Sequence, residues 1–139
     1  MINISRSEDR MAGRIDISQL NCPPDRSEFS VAKYFADLGK DIVFIPPSAI
    51  RGQHRPDILM DGVEWEIKCP EGNSKRTIEN NMRKALLQSR NVIFDLRHIQ
   101  LSEKEGLSKL EKEYRINSQL RKLYIIRKNG DLIAHLSKH

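Results

Sequence analysis

The stretch from Pro56 to Pro70, "PDILMDGVEWEIKCP", constrains the fold more than any other part of the sequence. Asp61-Gly62 near its centre is one of the strongest signals for a two-residue hairpin turn. Counting outward from that turn sets Asp57 opposite Glu66. Because side chains alternate across a sheet, an apolar set falls together on one face and is predicted to join the core: Ile58, Met60, Val63, Trp65, Ile67 and Cys69.

The other face of this hairpin crowds several charges, since it carries Asp57, Leu59, Glu64, Glu66 and Lys68. Two carboxylates directly opposite each other destabilise a sheet unless something neutralises them. Mg²⁺ or Mn²⁺ would do so, with Asp57, Glu66 and the backbone carbonyl of Ile67 as ligands. Such an ion polarises a phosphoryl oxygen, and Lys68 is placed to orient the attacking water or to stabilise transition-state charge. From spacing alone, a solvated outer face with ordinary charged residues stays open as the alternative.

The remaining chain alternates between helical and strand patterns. The predicted order is a helix after Asp25 that stops at Gly39, a strand at Asp41–Ile45, the Asp61-Gly62 hairpin, a helix over Lys75–Ser89, a strand at Asn91–Leu96, a helix after Ser102 and a terminal hairpin around Asn129-Gly130. This order indicates a mixed α/β domain with a central sheet flanked by helices and a C-terminal β-hairpin. Residues 1 to 24 are predicted to be a poorly ordered leader or linker remnant, and residues 25 to 139 to form the domain.

The charge and composition of the chain limit the classes of partner that it is expected to bind. The 139 residues carry a net charge of +5, which favours a polyanionic partner such as a nucleic acid. No apolar run approaches the roughly 20 residues of a membrane span, so no membrane partner is predicted. Cys22 and Cys69 fit no metal-ligand spacing and are predicted to be reduced thiols.

The motif residues resemble those of a known superfamily. Pro56-Asp57 followed by Glu66-Ile67-Lys68 resembles the PD-(D/E)XK nuclease motif, and the predicted order of helix, three strands, helix and strand is similar to the core of that superfamily. Longer segments look like the C-terminal tRNase toxin domain of contact-dependent growth inhibition proteins, the CdiA C-terminal family. These segments are "KYFADLGKDIVFIPP", "RPDILMDGVEWEIKCPEGNSKRTIENNMRKALLQSRNVIFDLR" and "LYIIRKNGDLI".

This resemblance implies a metal-dependent ribonuclease that acts on tRNA and is blocked by a cognate immunity protein. It also implies delivery from the producing bacterium as part of a larger secreted protein, with action in the cytoplasm of the target cell. Asp57, Glu66 and Lys68 match the catalytic positions of the family. Two alternatives stay open: a PD-(D/E)XK DNA endonuclease of restriction or repair type, and a non-catalytic nucleic-acid-binding module with steep salt dependence and no turnover.

Other residues are candidates for the same site. Glu28 is a candidate for the helix carboxylate that many members of the superfamily aim at the metal, although its spacing from Asp25 also suits a capping box. His54 and His98 suggest a different mechanism, metal-free RNA cleavage by a general base and a general acid.

The segment before the second helix is a candidate for phosphate binding. Lys75, Arg76 and Thr77 stand at the predicted helix N-terminus, where backbone N–H groups and positive charge favour phosphate. Arg83 and Lys84 are the predicted phosphate contacts further along this helix. An exposed, solvated turn and helix face would carry the same residues, so that interpretation stays open as well.

Overall fold

The computed structural model describes residues 11–137. Within that range the chain forms seven strands and three helices. In chain order these are β1 (Ile15–Asp16), α1 (Arg26–Asp37), β2 (Ile42–Phe44), β3 (Ile58–Met60), β4 (Val63–Lys68), α2 (Thr77–Ala85), β5 (Asn91–Asp95), α3 (Glu103–Ile116), β6 (Lys122–Ile126) and β7 (Leu132–His135). None of the helices in this range has the length and apolar character needed to cross a bilayer. The mixed α/β class predicted from the sequence is confirmed.

The strands form one sheet in chain order from β1 to β7. The hairpin β3–β4 is antiparallel in the predicted register, with Ile58 facing Trp65 and Met60 facing Val63. Its turn residues Asp61 and Gly62 have φ angles of 49° and 83°, as a type I′ turn requires. Strands β4, β5 and β6 run parallel through the crossover helices α2 and α3, and β6–β7 is the predicted C-terminal hairpin.

Helices cover both faces of the sheet. Buried residues of α1 pack against one face, which includes the apolar face predicted for the hairpin, and the buried residues of α2 and α3 pack against the other. Trp65 is in the core, where its ring stacks on Tyr124 with centroids 4.7 Å apart. The carboxyl ends of the parallel strands β4 and β5 therefore open between helices of opposite faces, where α/β proteins place their ligand sites.

Two boundaries differ from those expected. The helix predicted over Lys75–Ser89 is helical only at Thr77–Ala85, and turns follow in which the Leu87 N–H donates to the Lys84 carbonyl. Part of the predicted leader also belongs to the sheet, because Ile15–Asp16 pairs in parallel with β2. A two-residue strand carries too little sequence pattern to be predicted. Residues 1–10 lie outside the described part of the chain.

Gly13 lies where a side chain has no room. Its N–H donates to the Ala36 carbonyl at 2.8 Å, and a Cβ at this position would lie 1.7 Å from the Lys40 carbonyl oxygen. We therefore expect Gly13→Ala to lower the free energy of unfolding by about 1–3 kcal/mol, measured by urea denaturation. Gly106→Ala in α3 is the control: its nearest neighbour would be Leu96 Cδ1 at 3.4 Å, and Ala favours a helix. An unchanged midpoint for Gly13→Ala would contradict the expectation.

Candidate active site

Asp57 is held by its backbone and by its carboxylate where β3 meets β4. Its N–H donates to the Trp65 carbonyl at 3.1 Å, and its Oδ2 accepts the Ile67 N–H at 2.8 Å. Pro56, the residue before Asp57, has no N–H to donate to β4. The Asp57 carboxylate accepts the Ile67 N–H where a backbone carbonyl would do so in a regular ladder, and this fixes its position against β4.

Glu66 lies beside it on β4 with only 5% of its surface exposed. Its carboxyl group lies close enough to that of Asp57 for each to influence the pKa of the other. Its Oε2 lies 3.5 Å from Lys68 Nζ. Glu66 Oε1 is buried, and no donor among the described residues reaches it. Buried polar oxygens almost always have a partner, so this atom marks a place for a proton or a cation.

The electrostatics of the cluster are dominated by buried negative charge. Burial and then the charge of Asp57 raise the pKa of Glu66 to about 8, and Lys68 only partly opposes this. Burial raises the pKa of Asp57 as well, against the Ile67 N–H. The pKa of Glu28 is raised to about 7 by burial, then by Asp57 and Asp25. Three carboxyls thus share the field of one half-buried lysine, and a further positive charge would stabilise their ionised forms.

Glu28 reaches this cluster from the first turn of α1. The capping box predicted with Asp25 does not form, because Asp25 makes no side-chain hydrogen bond to the helix N-terminus. The capping box predicted as the alternative role of Glu28 is therefore wrong. Glu28 and Asp57 instead line the same cavity, whose volume is about 420 Å³.

The donor set suits a small divalent cation with few protein ligands. Within residues 11–137 no group of three or more His, Cys, Asp or Glu side chains is close enough to hold a metal ion. Asp57 and Glu66 supply two carboxylates, and the orphaned Glu66 Oε1 fits a cation. Successive carbonyls of a strand point to alternate sides, and the Trp65 carbonyl points towards β3. The Ile67 carbonyl, two residues on, therefore points towards β3 as well, where Pro56 has no N–H to donate to it. Mg²⁺ is commonly held by one or two carboxylates, with waters and substrate phosphate completing its shell.

Comparison with known proteins identifies the family. The family model described as "Contact-dependent growth inhibition CdiA C-terminal domain" matches residues 54–132, more than half of the chain, and this range contains Asp57, Glu66 and Lys68. The chain belongs to the CdiA C-terminal domain family.

A solved structure has a similar fold: the "CdiA-CT/CdiI toxin and immunity complex from Burkholderia pseudomallei". The sequences are 20% identical, the TM-score is 0.63, and the alignment covers 89% of this chain and 99% of that one. No curated protein sequence matches the chain. The likeness to the solved structure shows the fold of this CdiA C-terminal domain, and its chemistry has to be argued from the residues.

The predicted phosphate contacts of this CdiA C-terminal domain do not all lie on one side. Lys75 and Arg76 are exposed ahead of α2, and Arg76 Nε lies 3.9 Å from Glu79 Oε1. Thr77, the first residue of α2, lies against the backbone of Gly72. These residues follow β4 in the chain and stay candidates for phosphate contact.

Arg83 and Lys84 diverge along α2. Arg83 Nη1 donates to Asn80 Oδ1 and faces the cleft between α2 and α3. Lys84 is exposed in the last turn of α2 and stays a candidate for phosphate contact. Beyond the helix, Gln88 Nε2 lies 3.4 Å from His54 Nδ1 in the loop ahead of β3.

His54 and His98 are not brought together. His54 contacts Gln88, which precedes β5, whereas the exposed His98 follows the other end of that strand. Within residues 11–137 no hydrogen bond or ion pair joins them. The metal-free histidine pair predicted as an alternative therefore has no support in the geometry.

Asp95 and Arg97 form an ion pair at the end of β5. Arg97 Nε and Nη2 donate to the two oxygens of the buried Asp95, both at 2.9 Å. Arg97 Nη2 also donates to Ser30 Oγ, and its guanidinium lies 5.5 Å from the Tyr34 ring centroid. This bidentate pair ties the end of β5 to α1 and so fixes the helix that carries Glu28.

Proposed function

We propose that this chain is the toxin domain of a contact-dependent growth inhibition system: a PD-(D/E)XK-type, metal-dependent endoribonuclease that cleaves tRNA. The observation that carries the proposal is the buried Glu66, which lies between Asp57 and Lys68 in the pattern PD followed by EIK and whose Oε1 has no donor within residues 11–137. Membership of the CdiA C-terminal family supports it. The similar Burkholderia structure is a toxin and immunity complex, and this supports a cognate immunity protein as the partner of this chain.

The mechanism assigns a separate task to each group. Bound Mg²⁺ or Mn²⁺ would polarise a phosphoryl oxygen and lower the pKa of a coordinated water. Asp57 and Glu66, with the Ile67 carbonyl, would hold the ion. Lys68 Nζ, 3.5 Å from Glu66 Oε2, stabilises negative charge that develops on the phosphate or orients the water. Glu28 lines the same cavity as Asp57 and is proposed to accept or return a proton there.

The proposed substrate of the chain, and the proposed route of its delivery, rest on its net charge and on the family to which it belongs. A net charge of +5 suits a polyanion, and its phosphates are proposed to contact Lys75, Arg76, Thr77, Arg83 and Lys84. We propose delivery from the producing bacterium within a larger secreted protein, with action in the target-cell cytoplasm. The immunity protein then protects the producing cell.

A direct assay tests the substrate class and the need for metal. The purified chain is incubated with total tRNA or with plasmid DNA, each in Mg²⁺, in Mn²⁺ or in EDTA. We expect discrete tRNA fragments with metal, none in EDTA, and intact plasmid, because the paired carboxylates need a cation before they can act on phosphate.

Each other outcome of this assay identifies a different function. Cleavage in EDTA would overturn the metal mechanism. Plasmid cleavage with intact tRNA would identify a DNA endonuclease. Salt-sensitive tRNA binding without turnover would identify a binding module.

A further inference from the structure

A cavity of about 420 Å³ opens beside Asp57, between segments 20–24, 44–47 and 55–57 and Glu28. We call it the base pocket. Its walls are mainly apolar, with five prolines and Phe44, while Asn21 and Arg55 supply polar groups. Apolar walls with a few polar groups are typical of small-ligand pockets, which commonly enclose about 300–1,000 Å³. The volume suits one nucleoside-sized group.

The pocket and the proposed metal site share a wall. Asp57 and Glu28 face both, so a group in the pocket is a direct neighbour of whatever the carboxylates hold. A phosphate in a polynucleotide is covalently joined to nucleosides on both sides. If the scissile phosphate lies at Asp57, an adjacent nucleoside must occupy neighbouring space, and the pocket provides it.

We propose that the base pocket binds one unstacked nucleobase of the substrate, the one adjacent to the scissile phosphate. The inference rests on the proposed nuclease function and narrows its substrate to a strand that is unpaired at that nucleotide. A paired base is not available to such a cavity, whereas an unpaired base can turn out of the stack and enter it.

The chemistry of the walls fits a base better than a second phosphate. Glu28 and Asp57 would repel an anion placed inside the cavity, while the apolar rings of Pro and Phe can cover the faces of a neutral base. Asn21 has both a donor and an acceptor for a base edge. Arg55 Nη1 makes a long hydrogen bond of 3.5 Å to the Pro46 carbonyl. Because prolines have a fixed φ, the walls lose little entropy on binding.

Cys22 gives a direct readout of occupancy. Its thiol is exposed and lines the pocket. Cys69, by contrast, is half-buried, and burial raises its pKa to about 12. Because the thiolate is the reactive form, a disulfide reagent should modify Cys22 first. Loss of the fast phase in Cys22→Ser verifies that assignment.

The first test measures the rate of Cys22 modification in the full chain with Mg²⁺, alone and with each ribonucleoside 5′-monophosphate or with ribose 5-phosphate. We expect at least one nucleotide to slow modification about fivefold at several times its Kd. Ribose 5-phosphate, which lacks the base, should leave the rate unchanged. No slowing by any nucleotide, or equal slowing by ribose 5-phosphate, overturns the proposal.

The second test blocks the pocket and measures tRNA cleavage. N-ethylmaleimide on Cys22 should lower kcat/KM about tenfold or more, since a loss of orientation next to the scissile bond is costly. Treatment with the same reagent should not change the cleavage rate of Cys22→Ser from that of the untreated variant. Unimpaired cleavage by the modified chain would overturn the proposal. Nucleotide protection in a chain that cleaves nothing would keep the pocket and overturn the nuclease function, so the two failures are distinguishable.

Discussion

Glu66→Gln is expected to lower tRNA cleavage by about a thousandfold or more, equivalent to about 4 kcal/mol of transition-state stabilisation. Gln keeps the volume of Glu66 but removes the charge that a cation needs beside Asp57. The fold should persist, because the buried Oε1 that changes has no donor among the described residues. Single-turnover cleavage in Mg²⁺ measures the loss, and far-UV circular dichroism verifies that the variant is folded.

Glu64→Gln is the matched control for this variant. Glu64 lies two residues earlier on the same face of β4 but is exposed, so its replacement should change the cleavage rate less than about twofold. Lys68→Ala should lower the cleavage rate as Glu66→Gln does, since Lys68 Nζ pairs with Glu66 Oε2. Cleavage by Glu66→Gln at the rate of Glu64→Gln would remove Glu66 from the catalytic residues.

The parts of the structure that sequence could predict are those that local rules decide. Asp61-Gly62 fixes a turn, the turn fixes the register, and the register puts Asp57 beside Glu66. Trp65 falls in the core for the same reason. The relative placement of Asp57, Glu66 and Lys68 was therefore predictable from fifteen consecutive residues, since a two-residue hairpin leaves little freedom in which side chains meet.

Features that depend on contacts between distant segments could not be predicted from the sequence. The base pocket joins segments 20–24, 44–47 and 55–57, and no periodicity in the sequence brings them together. The adjacency of Arg55 to Pro56-Asp57 was a usable signal for one of its walls. The placement of Arg83 at the cleft between α2 and α3 likewise depends on how α2 rotates against α3, which exposed charged residues do not encode. Asp95 and Arg97 pair at i, i+2 spacing. Other charged residues, such as Glu66 and Lys68, have the same spacing, so the spacing alone does not predict which residues pair.

The same carboxyls make the stability of the metal-free protein depend on pH. The pKa of Glu66 is 4.5 in its ordinary state and about 8 in the fold, so between these values the folded chain binds more protons than the unfolded chain. Stability must then fall as pH rises, because its slope follows the protons bound when unfolded minus those bound when folded. Glu28, with a folded pKa of about 7, adds a smaller effect of the same sign, reduced by its solvent exposure.

We therefore expect the free energy of unfolding in EDTA to decrease by about 2–4 kcal/mol from pH 5 to pH 8. Glu66→Gln removes most of this dependence and should be more stable than the parent chain at pH 8, whereas Glu64→Gln should follow the parent. Mg²⁺ should raise the parent's unfolding midpoint more at pH 8 than at pH 6.5, because cation and proton compete for the same oxygens. Urea titrations at pH 5, 6.5 and 8 measure all three. If stability in EDTA rises over this window, the Asp57–Glu66 pair is ionised without a cation, and the reason for placing one there is gone.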